Sequence, residues 1–310
     1  MREAKWIYLV GLLMSAKLGH AQGLTIIYKD SKDSTQNFYV VRPPIDSIRG
    51  LLVFNDHALA DSAKSMAYQQ GIMTLTVVPT NDPLRNLTDK TILTRIHSMV
   101  QEVLTAYRIA PHKVVVGGMS AAGTGAIRYV QYCYQQPIPS VKPIGVFGVD
   151  SPLDYERLYR EATHAVERQY SPDAVDEGNV VIRYLKTQLK ATPQRNQKVY
   201  QQVSPFCYSA PEGGNARWLN HTAVRLYIEP DISWWISQRR KDYYDLNAVD
   251  NAALINQLQL NGNRAAELVV TANQGVRETG EKHPHSWSIV DQKALLSWCM
   301  QLFNNKIKAD

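Results

Sequence analysis

The sequence predicts an α/β protein: an open, mostly parallel central sheet with helices on both faces. Three observations carry that expectation. Short β-rich runs alternate with helically spaced apolar runs along most of the chain. The runs Gly50-Leu51-Leu52-Val53-Phe54 and Val114-Val115-Val116 are continuously apolar, as strands buried on both faces are. The 310 residues are 45% hydrophobic and 20% charged, which suits a packed core rather than a disordered chain.

Taken in order, residues 1–21 read as an export signal. Met1 to Lys5 is a basic start, Trp6 to Met14 an apolar run too short to span a bilayer, and Gly19-His20-Ala21 a small-residue cleavage site. The mature chain is therefore expected in the periplasm or outside the cell, with no membrane span. Leu24 to Tyr28 and Gln36 to Val41 then predict a hairpin, closed by Pro43-Pro44. Gly50 to Phe54 is a buried strand, Ala58 to Gln70 a helix ended by Gly71, and Ile72 to Val78 a strand stopped by Pro79. Asp89 to Arg108 is the longest amphipathic helix, with Ile92, Ile96, Val100, Val103 and Leu104 on one face. Val141 to Val149, Ala223 to Ile228 and Ala266 to Thr271 are further strands. Ala252 to Leu260 and Ser288 to Phe303 are further helices. Residues 152–220 interrupt the alternation. They carry three helical runs, Tyr155 to Arg168, Val180 to Ala191 and Arg195 to Val203, and are far longer than a plain crossover needs. They are expected to form a helical cap over the strand ends, dividing the core into residues 22–151 and 221–310.

Charge and cysteine content narrow the function. The net charge is +6; Arg2, Lys5 and Lys17 against Glu3 account for two of these, leaving +4 on the mature chain. The densest basic cluster, Arg239-Arg240-Lys241, is too short for a nucleic-acid-binding tail. Cys133, Cys207 and Cys299 have no metal-ligand spacing, and an odd count leaves at least one free thiol. They are expected to be partly buried thiols. No cofactor motif appears.

The chemistry centres on Gly117-Gly118-Met119-Ser120-Ala121-Ala122-Gly123, between the valine strand and a helical run. Strand, sharp turn and helix with serine at the turn make a nucleophile elbow. A serine needs a base to take its proton, a third group to orient that base, and N–H donors for the oxyanion. His285, in Glu281-Lys282-His283-Pro284-His285, follows the last strand and is preferred to His283 as the base. His283-x-His285 has no third ligand at a sensible spacing, so a metal is not expected. In Ile228-Glu229-Pro230-Asp231, past the preceding strand, Asp231 is the expected orienting acid and Glu229 the reserve. Asp231 is equally placed to cap the helix that follows it. One oxyanion donor is expected at Ala121. The second is expected within Asn55-Asp56-His57, with Asp56 as its candidate.

With Ser120, Asp231 and His285 each at the end of a predicted strand, the chain resembles the α/β-hydrolases, over about Leu24 to Phe303. The elbow is similar to those of exported bacterial esterases. The loop after Phe54 reads Asn-Asp-His where the family commonly has His-Gly, and the acid segment reads Glu-Pro-Asp where a glycine-led turn is commoner. The resemblance implies an antiparallel start to the sheet, a cap after the sixth strand, and hydrolysis of an ester, thioester or amide through an acyl-enzyme. The expected function is that of an exported serine esterase, without cofactor, acting on a small-molecule or polymer-linked ester. A glycan- or peptide-binding module without catalysis, and an acyltransferase, are the alternatives.

Overall fold

The computed structural model describes residues 23–30 and 32–305. The export signal expected at residues 1–21 lies outside them.

Eight strands form one sheet in the order β1-β2-β4-β3-β5-β6-β7-β8. They are β1 (Thr25–Tyr28), β2 (Phe38–Arg42), β3 (Gly50–Asn55), β4 (Ile72–Val78), β5 (Val114–Met119), β6 (Gly145–Val149), β7 (Ala223–Ile228) and β8 (Ala266–Val270). The β1–β2 hairpin aligns Thr25 with Val41 and Tyr28 with Phe38, and β2 pairs antiparallel with β4. All the remaining pairs are parallel. The predicted sheet is present, antiparallel start included.

Successive side chains of a strand point to opposite faces, so each central strand feeds two cores. On one face Leu51, Val53, Val114, Val116 and Val146 pack under helices α3 (Lys90–Ala106), α4 (Ser120–Gln135) and α9 (Asn247–Leu260). On the other, Leu52, Phe54, Val115, Phe147 and Val149 pack under α1 (Asp61–Gln69) and α10 (Gln292–Asn304). The α3 residues named by periodicity, Ile92, Ile96, Val100, Val103 and Leu104, are all buried. Asp89 caps that helix by accepting the Thr91 N–H. Each fully buried aliphatic side chain contributes about 1.5–3 kcal/mol, so the two layers supply most of the drive to fold.

Between β6 and β7 run α5 (Tyr155–Arg168), α6 (Pro172–Leu189), α7 (Gln197–Val203) and a 3-10 segment (Pro211–Leu219). α5 has the predicted bounds. α6 begins eight residues before its predicted start, because Pro172 takes the first helical turn, where a missing N–H costs nothing. These helices have a core of their own, including Leu87 of the short helix α2 (Arg85–Thr88), Tyr155, Leu158, Leu185, Leu189 and Tyr200. Between β7 and α9 lies α8 (Ile232–Arg239), which has no buried residue. Cys133, Cys207 and Cys299 are buried and unpaired among the described residues.

Candidate active site

Parallel strands end on one edge of the sheet, and three central ones end in a left-handed residue there. Asp56 after β3, Ser120 after β5 and Asp150 after β6 have φ of 52°, 54° and 44°. A side chain in this region is uncommon and marks a chain forced into a sharp turn. At Ser120 the turn lifts the hydroxyl off the strand end and starts α4 at once. The elbow is tight on both sides. A Cβ on Gly118 would lie 2.9 Å from the Ala122 carbonyl carbon. One on Gly123 would lie 2.1 Å from Ser151 Oγ and 2.6 Å from the Gly118 oxygen. Ala121, in the first turn of α4, has an N–H with no intrahelical partner.

His285, on the loop between β8 and α10, lines the same cavity as this elbow. Its Nδ1 lies 2.6 Å from Asp150 Oδ2. A carboxylate accepts only, so Nδ1 carries the proton and donates, and Nε2 is left as the free acceptor. Asp150 is itself held in place. Its carbonyl accepts the Asn247 Nδ2–H at 2.9 Å, and the next carbonyl, of Ser151, accepts from Asn251. Asp250 accepts the N–H groups of Leu153 and Asp154, and Thr124 Oγ1 donates to the Pro152 carbonyl. The start of α9 thus clamps the stretch from 150 to 154.

Asp231 does not take the place expected of it. Its carboxylate accepts from Lys282 Nζ at 2.6 Å and from the Trp234 N–H at 3.0 Å, capping α8. Those contacts, the Lys282 hydrogen bond foremost, hold its pKa below the usual range. The physical reason is competition: the Asp231 carboxylate is taken up by Lys282 of that same loop and by the start of α8, whereas His285 reaches over the end of β6, the strand beside β5, to Asp150. Glu229 does not reach His285 either. It is buried, and its oxygens accept from Thr271 Oγ1 and from the Gln274 and Gly275 N–H groups, fixing the loop that carries the histidine. Asp56 is likewise unsuited to the oxyanion, since its N–H continues the β3–β4 ladder to the Val77 carbonyl at 2.8 Å. His57 packs against Trp287 at a tilt of 53°, with ring centroids 4.5 Å apart.

His283 is buried against Trp234 and Trp235, with ring centroids at 4.5 and 5.7 Å, and lies 6.3 Å from His285. Burial first, then the nearby charges of Arg277, His285 and Arg239, pushes its pKa down to about 4. It is therefore neutral beside His285 at ordinary pH. Among the described residues no three His, Cys, Asp or Glu side chains converge as a metal-binding group.

Ser120, Ala121, Asp150 and His285 share the wall of one cavity of about 170 Å³. Helices α5 and α6 close it with Leu158, Glu161 and Val181. Among the described residues no hydrogen bond joins Ser120 Oγ to His285. Sequence reasoning missed Asp150. The signal was there: it ends the all-apolar run Gly145–Val149 as Ser120 ends β5. Acids at two strand ends left the choice to tertiary contacts, which are not local.

Solved structures of similar fold settle the fold class. The chain has a TM-score of 0.57 to a prolyl endopeptidase, at 14% identity over 92% of this chain and 39% of that one. It has 0.53 to a hormone-sensitive lipase from a metagenome library, at 11% identity over 92% and 88%. It has 0.51 to a putative esterase from Staphylococcus aureus, at 11% identity over 94% and 89%. The fold is that of the α/β-hydrolases. The chain spans 39% to 58% of the length of three larger structures that it matches. No protein-family model matches the sequence, and no curated protein does. In this chain the carboxylate that holds His285 leaves β6, and the helices that close the cavity follow it directly.

Proposed function

We propose that the chain is a serine ester hydrolase working through an acyl-enzyme, with Ser120 as nucleophile, His285 as general base and Asp150 as orienting acid. The observation that carries this reading is the 2.6 Å contact of Asp150 Oδ2 with His285 Nδ1, on the same cavity wall as the elbow serine. As the acyl group seats, His285 Nε2 takes the Ser120 Oγ proton and Oγ bonds to the acyl carbon. The Ala121 N–H holds the developing oxyanion, and Asp150 stabilises the imidazolium. The imidazolium gives its proton to the leaving oxygen, the bond to it breaks, and water attacks the acyl-enzyme by the same route. The likeness to esterases and lipases supports an ester substrate, and the small cavity supports a short acyl group.

A fluorophosphonate probe tests the nucleophile. The folded protein is expected to be labelled at Ser120 and to hydrolyse p-nitrophenyl acetate and butyrate. Ser120→Ala is expected to lose both properties, and a folded protein that is neither labelled nor active overturns the reading. We propose further that residues 1–21 are a cleaved export signal. The check is the N-terminal sequence of protein recovered from outside the inner membrane, expected to begin after Ala21.

A further inference from the structure

The cavity has two unlike sides. Leu84, Leu87, Leu158 and Val181 line one of them, and all four belong to, or pack on, the apolar cluster that Ala121 also touches. Ala121 supplies the oxyanion N–H in the proposed mechanism, so the acyl group lies on this side. The other side is the His285 loop and α8, where the leaving group must lie to receive the His285 proton.

That second side carries cations without firm partners. Most charges on the cavity wall are committed. Lys241 pairs with Glu161, and Asp245 with Arg168 and His164. Asp150 holds His285, and the oxygens of Glu229 are taken by Thr271, Gln274 and Gly275. Two guanidiniums remain. Arg239 has a side chain only 20% exposed, yet its one ionic contact is 4.0 Å from Asp173, which is 86% exposed, and beyond that it donates a long hydrogen bond of 3.4 Å to Ser171 Oγ. Arg277, exposed at the rim of the cavity, has no carboxylate within 4.0 Å among the described residues. Both line the cavity, and both lower the basicity of His283 beside the base, as cations facing this end would. Glu177, exposed on α6, is the one other lining acid without an ion pair. A guanidinium is a rigid fork that matches carboxylate, phosphate or sulfate oxygens in pairs, and one lining a cavity without a close ion pair is free to meet such an anion.

We propose that Arg239 and Arg277 form a leaving-group subsite for an anion, so that the substrate is a short apolar acyl group on an alcohol bearing a carboxylate, phosphate or sulfate. This rests on the hydrolase reading above.

The test compares two substrates with the same acetyl group: 4-acetoxybenzoate and its neutral methyl ester. The wild type is expected to prefer the anion by about tenfold or more in kcat/KM, with a preference that shrinks as salt is added. In Arg239→Gln/Arg277→Gln the ratio of the two kcat/KM values is expected to fall by about tenfold, through KM for the anion. A wild-type ratio at or below one, or a ratio the double variant leaves unchanged, overturns the proposal. Calorimetric titration of 4-hydroxybenzoate into Ser120→Ala separates the two readings. Saturable binding, weakened by the arginine substitutions, supports the anion subsite. If that binding is found while the folded wild type turns over neither ester, the hydrolase reading falls and the subsite stands. Binding that is absent, or indifferent to the arginines, overturns the subsite whatever the turnover.

Discussion

Replacing Asp150 by asparagine tests the assignment of the orienting acid. The substitution suits the site, because asparagine accepts the left-handed backbone found there better than most residues. It removes one negative charge and a 2.6 Å charge-assisted hydrogen bond to His285 Nδ1. During the reaction His285 becomes a cation. With charge centres about 4 Å apart and an effective dielectric near 20, the lost attraction is about 4 kcal/mol. The excess of a charged over a neutral hydrogen bond adds about 1 kcal/mol. Together these amount to about 5 kcal/mol of transition-state stabilisation, or roughly a 10⁴-fold fall in kcat. A loss of that size matches what removing the acid costs in serine triads generally. Asp231→Asn is the control. It keeps a residue able to cap α8 and gives up only the Lys282 pair, worth about 1 kcal/mol or less of stability. Its kcat is expected to stay within about threefold of wild type. Initial rates on p-nitrophenyl acetate at pH 7.5, with melting curves to confirm folding, decide between them. A fall of less than tenfold for Asp150→Asn, or a loss of several orders for Asp231→Asn, would refute the assignment.

Other expectations follow from packing and titration. Gly123→Ala places a methyl group 2.1 Å from Ser151 Oγ and 2.6 Å from the Gly118 carbonyl, and backbone does not yield cheaply. We expect about 1–3 kcal/mol of destabilisation and slower fluorophosphonate labelling, and an unchanged melting temperature would contradict this. Asp154 is raised to about 6, by burial first and by neighbouring Asp250 second. The folded protein therefore binds its proton more tightly than the unfolded chain does. The stability this contributes is present below about pH 4 and lost as pH rises through about 6, amounting to at most about 3 kcal/mol. Asp154→Asn is expected to gain stability relative to wild type across that window, read from urea midpoints; parallel midpoint curves would exclude it.

How much was legible in the sequence depends on how local each feature is. The elbow around Ser120 was legible because strand, turn and helix are contiguous and its small residues answer to a contact within six positions, Gly118 against Gly123. The sheet was legible because β3 and β5 are buried on both faces and have no polar alternation. Asp150 was not, since nothing in the chain states which strand-end acid the His285 loop meets. The first turns of α9 were missed for a related reason. Asn247, Asp250 and Asn251 are weak helix formers, and their side chains are spent on the main chain of residues 150–154 and on Arg157. The helix there shows polar clamps where an apolar stripe would have announced it. Asp56 looked available because its position after β3 was right, and only the ladder bond to Val77 shows its N–H to be taken.

Asp150 is also the last residue before the chain leaves the sheet for the helices that close the cavity. In the proposed mechanism the part that tunes the base and the part that shapes the substrate's space are thus one covalent stretch, pinned by Asn247, Asp250 and Asn251. A graft that exchanges helices α5 to α7 for those of another enzyme would therefore have to keep Val149 to Asp154 and its α9 anchors as a fixed splice point. A cut made even a few residues earlier would alter substrate range and proton transfer together, so that a change of specificity and a loss of turnover would arrive as a single trait.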